Sequence, residues 1–202
     1  MVDDPSVTDG RSARAQRTRL AIVDSLLALI ESGELKPPAP RIAERAGVSL
    51  RSIYQHFDDL EALFAAARER FSERVMALVD PVPEEGPLEV RLDHFVEQRA
   101  RLLEAITPVR RAAILQEPFS EQLRVARDRS MAMGRAEVAR VFDQELSAIP
   151  PHVRCTVLSS LDVASGWNTW DALRLTGHDP AEAANVMRRM LHALLTEPVP
   201  VS

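Results

Sequence analysis

Within the six positions from Arg51 to His56, Arg51, Ser52, Tyr54, Gln55 and His56 carry hydrogen-bonding groups. Such groups can read a base edge or hold a phosphate. Arg51 has a planar fork that can bond a guanine edge at two points. Gln55 can pair with adenine or simply face solvent, and Ser52 suits either a base or a phosphate. Leu50 offers an apolar contact to a thymine methyl. Arg41, earlier in the chain, is placed to reach a phosphate, as are the backbone N–H groups at a helix start.

These groups need a scaffold, and the stretch RIAERAGVSLRSIYQHF supplies one. Ile42, Ala43 and Ala46 share one helical face. Gly47 stops that helix, since the residue past a helix end often takes positive φ, which glycine adopts without steric cost. Val48 is expected to plug the turn. Ser49 can N-cap a second helix. Ile53 and Phe57, four apart, turn its apolar side back onto the first helix. Two short helices with a tight glycine turn and an arginine-bearing outer face describe a helix-turn-helix. An ordinary helical hairpin with a solvated outer face would show the same pattern.

The segment IAERAGVSLRSIYQHFDDLEALF resembles the signature of the TetR family of bacterial transcriptional regulators. The likeness covers about 50 residues, from the first helix to Phe64, with many positions matched at the same spacing. The resemblance implies DNA binding through Arg41, Ser49, Leu50, Arg51, Ser52, Tyr54, Gln55 and His56. Tyr54 and His56 match family positions that tend to touch the DNA backbone. Two departures stand out. Leu60 replaces a common phosphate-holding lysine, and Ala39-Pro40 occupies a place where threonine is frequent.

Charge distribution agrees. Residues 11–57 hold eight basic and four acidic side chains, a net +4 against a total of −5. The remainder is therefore strongly acidic, as expected for a small DNA-reading module joined to a body that does not lie on DNA. No apolar run is long enough to cross a bilayer. The N-terminus has no basic-then-apolar signal segment, so a cytoplasmic protein is expected. A lone cysteine, Cys155, excludes an intramolecular disulfide and a cysteine-cluster metal site; a small buried apolar role is expected rather than a redox one.

No catalytic centre, cofactor or metal is called for. Nucleophile elbows, phosphate-binding glycine loops and HExxH zinc motifs are absent. No glutamate precedes any histidine by three residues. Asp93 and His94, being adjacent, point to different sides of a helix. A helical enzyme or a plain dimeric interaction protein is the remaining alternative to a DNA-binding regulator with or without a ligand.

The rest of the chain predicts an all-α protein of about nine helices. Residues 1–57 would form the DNA-binding domain, with 1–10 disordered, and 58–202 a larger regulatory and dimerisation domain. The first helix carries a stripe of Leu20, Val23, Leu27 and Ile30, widened by Leu26, up to Gly33. Asp58 and Glu61 would cap the fourth, running to Leu78. Helices over 88–106 and 109–116 are separated by Thr107-Pro108. A helix capped by Ser120 reaches Leu146, another spans 152–176, and the last covers 181–195, opened by Asp179, Pro180 and Glu182. The tail TEPVPVS is read as disordered.

The resemblance further implies a homodimer on a palindromic double-stranded DNA operator, paired through 152–176 and 181–195. Leu158, Leu161, Leu173, Met187, Met190, Leu191 and Leu194 are available to bury, and Ala164, Ser165 and Gly166 allow close approach. It also implies a small hydrophobic ligand among the middle helices, whose binding relieves repression. Phe95, Phe119, Phe142, Trp167, Trp170 and Met131 are the candidate lining, with Met133 adding adaptable surface and Arg99, Gln116 and His94 placed to orient the ligand. Plain core packing is the alternative for each.

Overall fold

The structure, a computed structural model, describes residues 5–196, with side chains from residue 12 onward. Among them it is all helical: α1 (Pro5–Glu31), α2 (Ala39–Ala46), α3 (Leu50–His56), α4 (Leu60–Met76), α5 (Leu88–Ile114), α6 (Glu121–Val141), α7 (Asp143–Ala148), α8 (Pro151–Ala164), α9 (Trp167–Leu175) and α10 (Pro180–Thr196), with a 3-10 turn at Glu117–Phe119. Residues 5–10, expected to be disordered, continue α1 as helix. Residues 1–4 and the end of the tail, from 197, lie outside the described residues.

The chain divides into two compact units. The first comprises residues 1–76 with 108–112, the second 77–107 with 113–202. The first unit therefore extends past the boundary expected at residue 57. The reason is burial: α4 sends Leu63 and Ala67 into the same core as Ile22, Leu26, Ile42, Ile53 and Phe57. Arg74 and Arg70 of α4 also pair with Asp24 of α1, at 2.8 and 3.5 Å. The stripe of α1 is broader than the expected one and begins after Leu20. Ile22, Val23, Leu26, Leu27, Leu29 and Ile30 are buried, while Leu20 is exposed.

Caps are where local sequence speaks most directly. Ser49 accepts from the Ser52 amide at 3.1 Å and Ser120 from the Leu123 amide at 3.3 Å. Asp179 and Glu182 form a reciprocal capping box, 2.8 and 2.9 Å. For α4 the cap is Asp59, not Asp58: its carboxylate accepts the Ala62 N–H at 2.7 Å. That helix stops at Met76, leaving Leu78 outside it and exposed.

Three expected boundaries moved. Pro108 lies inside α5 rather than ending it. Proline removes one N–H and crowds the preceding turn, yet Leu103 and Ala112 are both buried, so packing on either side holds the helix together. Thr107 reinforces the turn before it, donating to the Leu103 carbonyl at 2.6 Å. Conversely, the segment expected to run to Leu146 breaks at Phe142, and 152–176 breaks at Ser165-Gly166. At that break a Cβ on Gly166 would stand 3.0 Å from the Asp162 carbonyl oxygen, so any side chain there would have to push the α8 backbone aside by a few tenths of an ångström. Merging one pair and splitting two others turns nine expected helices into ten α-helices among the described residues.

The second unit has its own core. Leu92, Phe95, Val138, Phe142, Leu161, Trp170, Met187 and Leu191 are all fully buried in it. Arg91, also fully buried, donates to the Val141 carbonyl at 2.5 Å and pairs with Glu145.

Candidate nucleic-acid interface

The helix-turn-helix is built as its residue types require. The Gly47 amide bonds the Glu44 carbonyl and the Val48 amide bonds that of Ala43 (3.2 and 3.0 Å), with Gly47 left-handed at φ 66°. Val48 is only half-buried, so the expected plug closes the turn on one side. Ile53 and Phe57 face the core, and the Phe57 N–H closes the last turn of α3 on the Ile53 carbonyl at 2.9 Å.

The opposite face of α3 is presented outward. Leu50, Arg51, Tyr54 and Gln55 are exposed, Tyr54 at 51%, while Ser52 and His56 are half-buried beside them. Arg51 makes no ion pair among the described residues, so its guanidinium is free to take a ligand. Ser49 and Arg41 are exposed as well. The eight residues predicted for DNA thus share α3, its cap and the adjoining helix.

Two features of this surface are not legible from types and spacing alone. Arg41 is held by carboxylates: Nη1 lies 2.6 Å from Glu44, and Nε lies 3.7 Å from Glu34. The hydrogen bond that Arg41 donates to Glu44 first, then the Glu44 and Glu34 charges, raise the Arg41 guanidinium above its ordinary range. The start of α2 also offers little to a phosphate. Pro38 supplies no side-chain cap, Pro40 has no N–H, and the Arg41 and Ile42 amides turn back to the Pro38 carbonyl. At α3 the Ser52 amide is taken by Ser49, leaving the Leu50 and Arg51 amides at the helix end. Leu60, where the resembled family often has lysine, packs half-buried against the core of the unit.

The residues predicted to line a ligand pocket fall into a buried group and an exposed one. Phe95 and Phe142 pack edge to face, 5.2 Å between centroids, and are fully buried with Trp170. The Trp170 indole N–H donates to Glu104 at 3.1 Å, and Trp167 donates to the Thr107 hydroxyl at 3.1 Å. Phe119 is 90% exposed, Met131 and Met133 are exposed, and Gln116 is half-buried. His94 is exposed and bonds the Val90 carbonyl. Aromatic scarcity is the reason: with few large rings available, the fold spends three of them on the core.

Arg99 is the exception. It stacks 4.8 Å over Phe95 and meets Glu137 at 3.3 Å. Burial lowers its guanidinium from the ordinary range, against the opposing pull of Glu137 and Asp162. Its Nε and the neighbouring Gln98 Oε1 are buried without a hydrogen-bond partner among the described residues.

The face of α8, α9 and α10 has a groove of about 650 Å³ lined by Thr156, Ser159, Ser160, Val163, Ala164, Thr169, Met190, Ala193 and Leu194. Leu161, Met187 and Leu191 are fully buried within the chain and so are not free to pair with a partner. Leu158, Leu173, Met190 and Leu194 are half-buried, and Val163 is 69% exposed. Cys155 is exposed, not the buried apolar residue expected.

Fold and site together define a helix-turn-helix DNA-binding domain carried by an all-helical chain. Residues 38–67 match the family model described as bacterial regulatory proteins, TetR family. The match spans α2, α3 and the start of α4, so the first unit carries a helix-turn-helix of the type found in that family. Two solved structures share its fold. One is a transcriptional regulator from a Rhodococcus species, 21% identical, with TM-score 0.64 over 92% of this chain and 99% of that one. The other is named as a TetR-family transcriptional regulator from Mesorhizobium loti, 21% identical, with TM-score 0.63 over 90% and 96%. No curated protein matches the chain. No helix among the described residues is long and apolar enough to cross a membrane.

Proposed function

We propose that the protein is a cytoplasmic repressor that binds a palindromic operator as a two-fold homodimer and is released by a small molecule. The observation that carries the DNA reading is the outward face of α3, where Arg51, Tyr54 and Gln55 stand exposed opposite buried Ile53 and Phe57. Arg51 reads a guanine edge. Gln55 reads a second base, Leu50 meets a thymine methyl, and Ser49, Ser52, Tyr54, His56 and Arg41 hold the backbone. One such module touches too few bases to be selective, so two copies reading successive major grooves supply the specificity.

The groove of α8, α9 and α10 supports pairing through that face. Its lining is mostly apolar, and exposed Val163 sits beside small residues that let helices approach. For the ligand, Arg99 Nε and Gln98 Oε1 supply one unpaired donor and one unpaired acceptor inside the second unit, a place for a polar ligand group. Binding there stabilises a conformer whose recognition helices no longer fit successive grooves.

Binding to duplex DNA from upstream of its own gene, across a salt series and beside Arg51→Ala and a scrambled duplex, tests the reading. Tight, salt-sensitive, palindrome-preferring binding that Arg51→Ala abolishes supports it; equal weak binding of both duplexes contradicts it. A regulator without a small-molecule ligand is the second reading, favoured by the exposure of Phe119 and Met131 and the close packing of Phe95, Phe142 and Trp170 in the core. It predicts no rise in melting temperature with any compound.

A further inference from the structure

The guanidinium carbon of Arg19, on α1, sits over the ring of Phe57, 4.2 Å from its centroid. Arg19 has no carboxylate partner among the described residues, and its Nη1 is buried with no hydrogen-bond acceptor. The aromatic face is therefore the group that compensates this charge. Phe57 is itself buried and is tied by its N–H to the last turn of α3, the turn that also carries Tyr54 and His56. A buried donor left without an acceptor is costly to keep, so the surrounding fold holds the guanidinium where it is.

We propose that Arg19 is a positioning residue for DNA recognition: its stack on Phe57 sets the angle at which α3 presents Arg51 and Gln55 to the bases. This rests on the DNA-reading role given to α3 above. A base contact is productive only within a few tenths of an ångström and about 10–20° of its ideal geometry, and two hydrogen bonds from one planar fork are less forgiving than a phosphate contact. A loosened Phe57 tilts the C-terminal end of a helix of only seven residues. Selective binding suffers, while charge-driven binding to any duplex does not. Direct capture of a phosphate by Nη1 is disfavoured, because that atom is covered in the folded chain. Lysine keeps the charge but not the flat, weakly hydrated surface that stacks.

The test uses the full chain and a duplex selected from a random library by the wild-type protein, with random-sequence duplex as the reference. Wild type, Arg19→Lys, Arg19→Met, Phe57→Leu and the double variant Arg19→Met/Phe57→Leu are compared well below their melting temperatures. Both Arg19 variants and Phe57→Leu are expected to lower the ratio of selected to random affinity about fivefold, the scale of one partly exposed cation–ring contact. The double variant should lose no more than either single change. The salt dependence of the random-duplex affinity should stay as in wild type. Full rescue by Arg19→Lys together with a shallower salt slope in Arg19→Met would instead make Arg19 a phosphate contact and overturn the proposal. A fall in melting temperature with the affinity ratio unchanged would overturn it too, reducing the stack to a structural contact. Absence of any sequence preference in wild type would sink the DNA reading itself and this inference with it; a normal wild-type preference that every variant keeps would sink this inference alone.

Discussion

Arg41 and Glu44, one turn apart on α2, are joined by a 2.6 Å hydrogen bond on the surface next to the recognition helix. Glu34 stands 3.7 Å from the same guanidinium. A DNA phosphate approaching Arg41 must compete with two carboxylates that also repel it. Glu44→Gln is therefore expected to tighten binding to random-sequence duplex and to steepen its salt dependence by about one phosphate's worth of counterion release. Fluorescence anisotropy at several salt concentrations checks this. An unchanged slope would mean that Arg41 does not reach the backbone.

Ser49 caps α3 by accepting the Ser52 amide, and its hydroxyl proton stays available to a phosphate. Ser49→Ala should cost about 1 kcal/mol of stability in thermal unfolding. Amide exchange at Ser52 should speed up more than that at Ile53, because only the first donor loses its acceptor. Equal acceleration along the whole helix would point to global loosening instead.

On the face of α8, α9 and α10, Val163 is the most exposed apolar side chain lining the groove. If a second copy covers it, Val163→Glu buries an unpaired charge and should weaken dimerisation by about 3 kcal/mol, more than a hundredfold in Kd. Sedimentation velocity across a dilution series reads the result. A dimer that tolerates the change places the interface elsewhere, while a chain monomeric from the start removes the pairing reading.

Glu104 of α5 accepts from the Trp170 indole at 3.1 Å and from Arg174 at 3.2 and 3.1 Å. Glu104→Leu leaves a buried indole N–H without its acceptor and should cost about 2 kcal/mol. Glu104→Gln keeps one acceptor and should cost less. Urea unfolding of both variants separates the two. Equal losses would show that Arg174, not Trp170, carries the interaction.

Much of the local structure is legible without coordinates. Caps and turns are local devices: one hydroxyl at Ser49, one positive φ at Gly47, and one carboxylate pair at Asp179 and Glu182 act within a few residues. The apolar spacing of Ile53 and Phe57 likewise dictates which side of α3 must face outward, so the residue types on that outer face follow from the sequence by itself. So do the all-helical class and the family resemblance, because a densely patterned motif leaves few other solutions.

What only the tertiary structure decided depends on partners far apart in the chain. Proline 108 reads as a helix end, yet burial of Leu103 and Ala112 outweighs its local penalty. Helix α4 reads as the start of a second domain, yet Leu63 and Ala67 complete the core that α1, α2 and α3 leave open. The candidate ligand residues read as one set because aromatic and sulfur side chains suit a pocket. Burial then sorts them, with Phe95, Phe142 and Trp170 in the core and Phe119 and Met131 on the surface. The stack of Arg19 on Phe57 and the reach of Glu34 to Arg41 join residues whose spacing carries no signal. Local rules determine how each helix starts, stops and faces; which faces meet is decided by burying the most apolar surface at once, and that is a property of the whole chain.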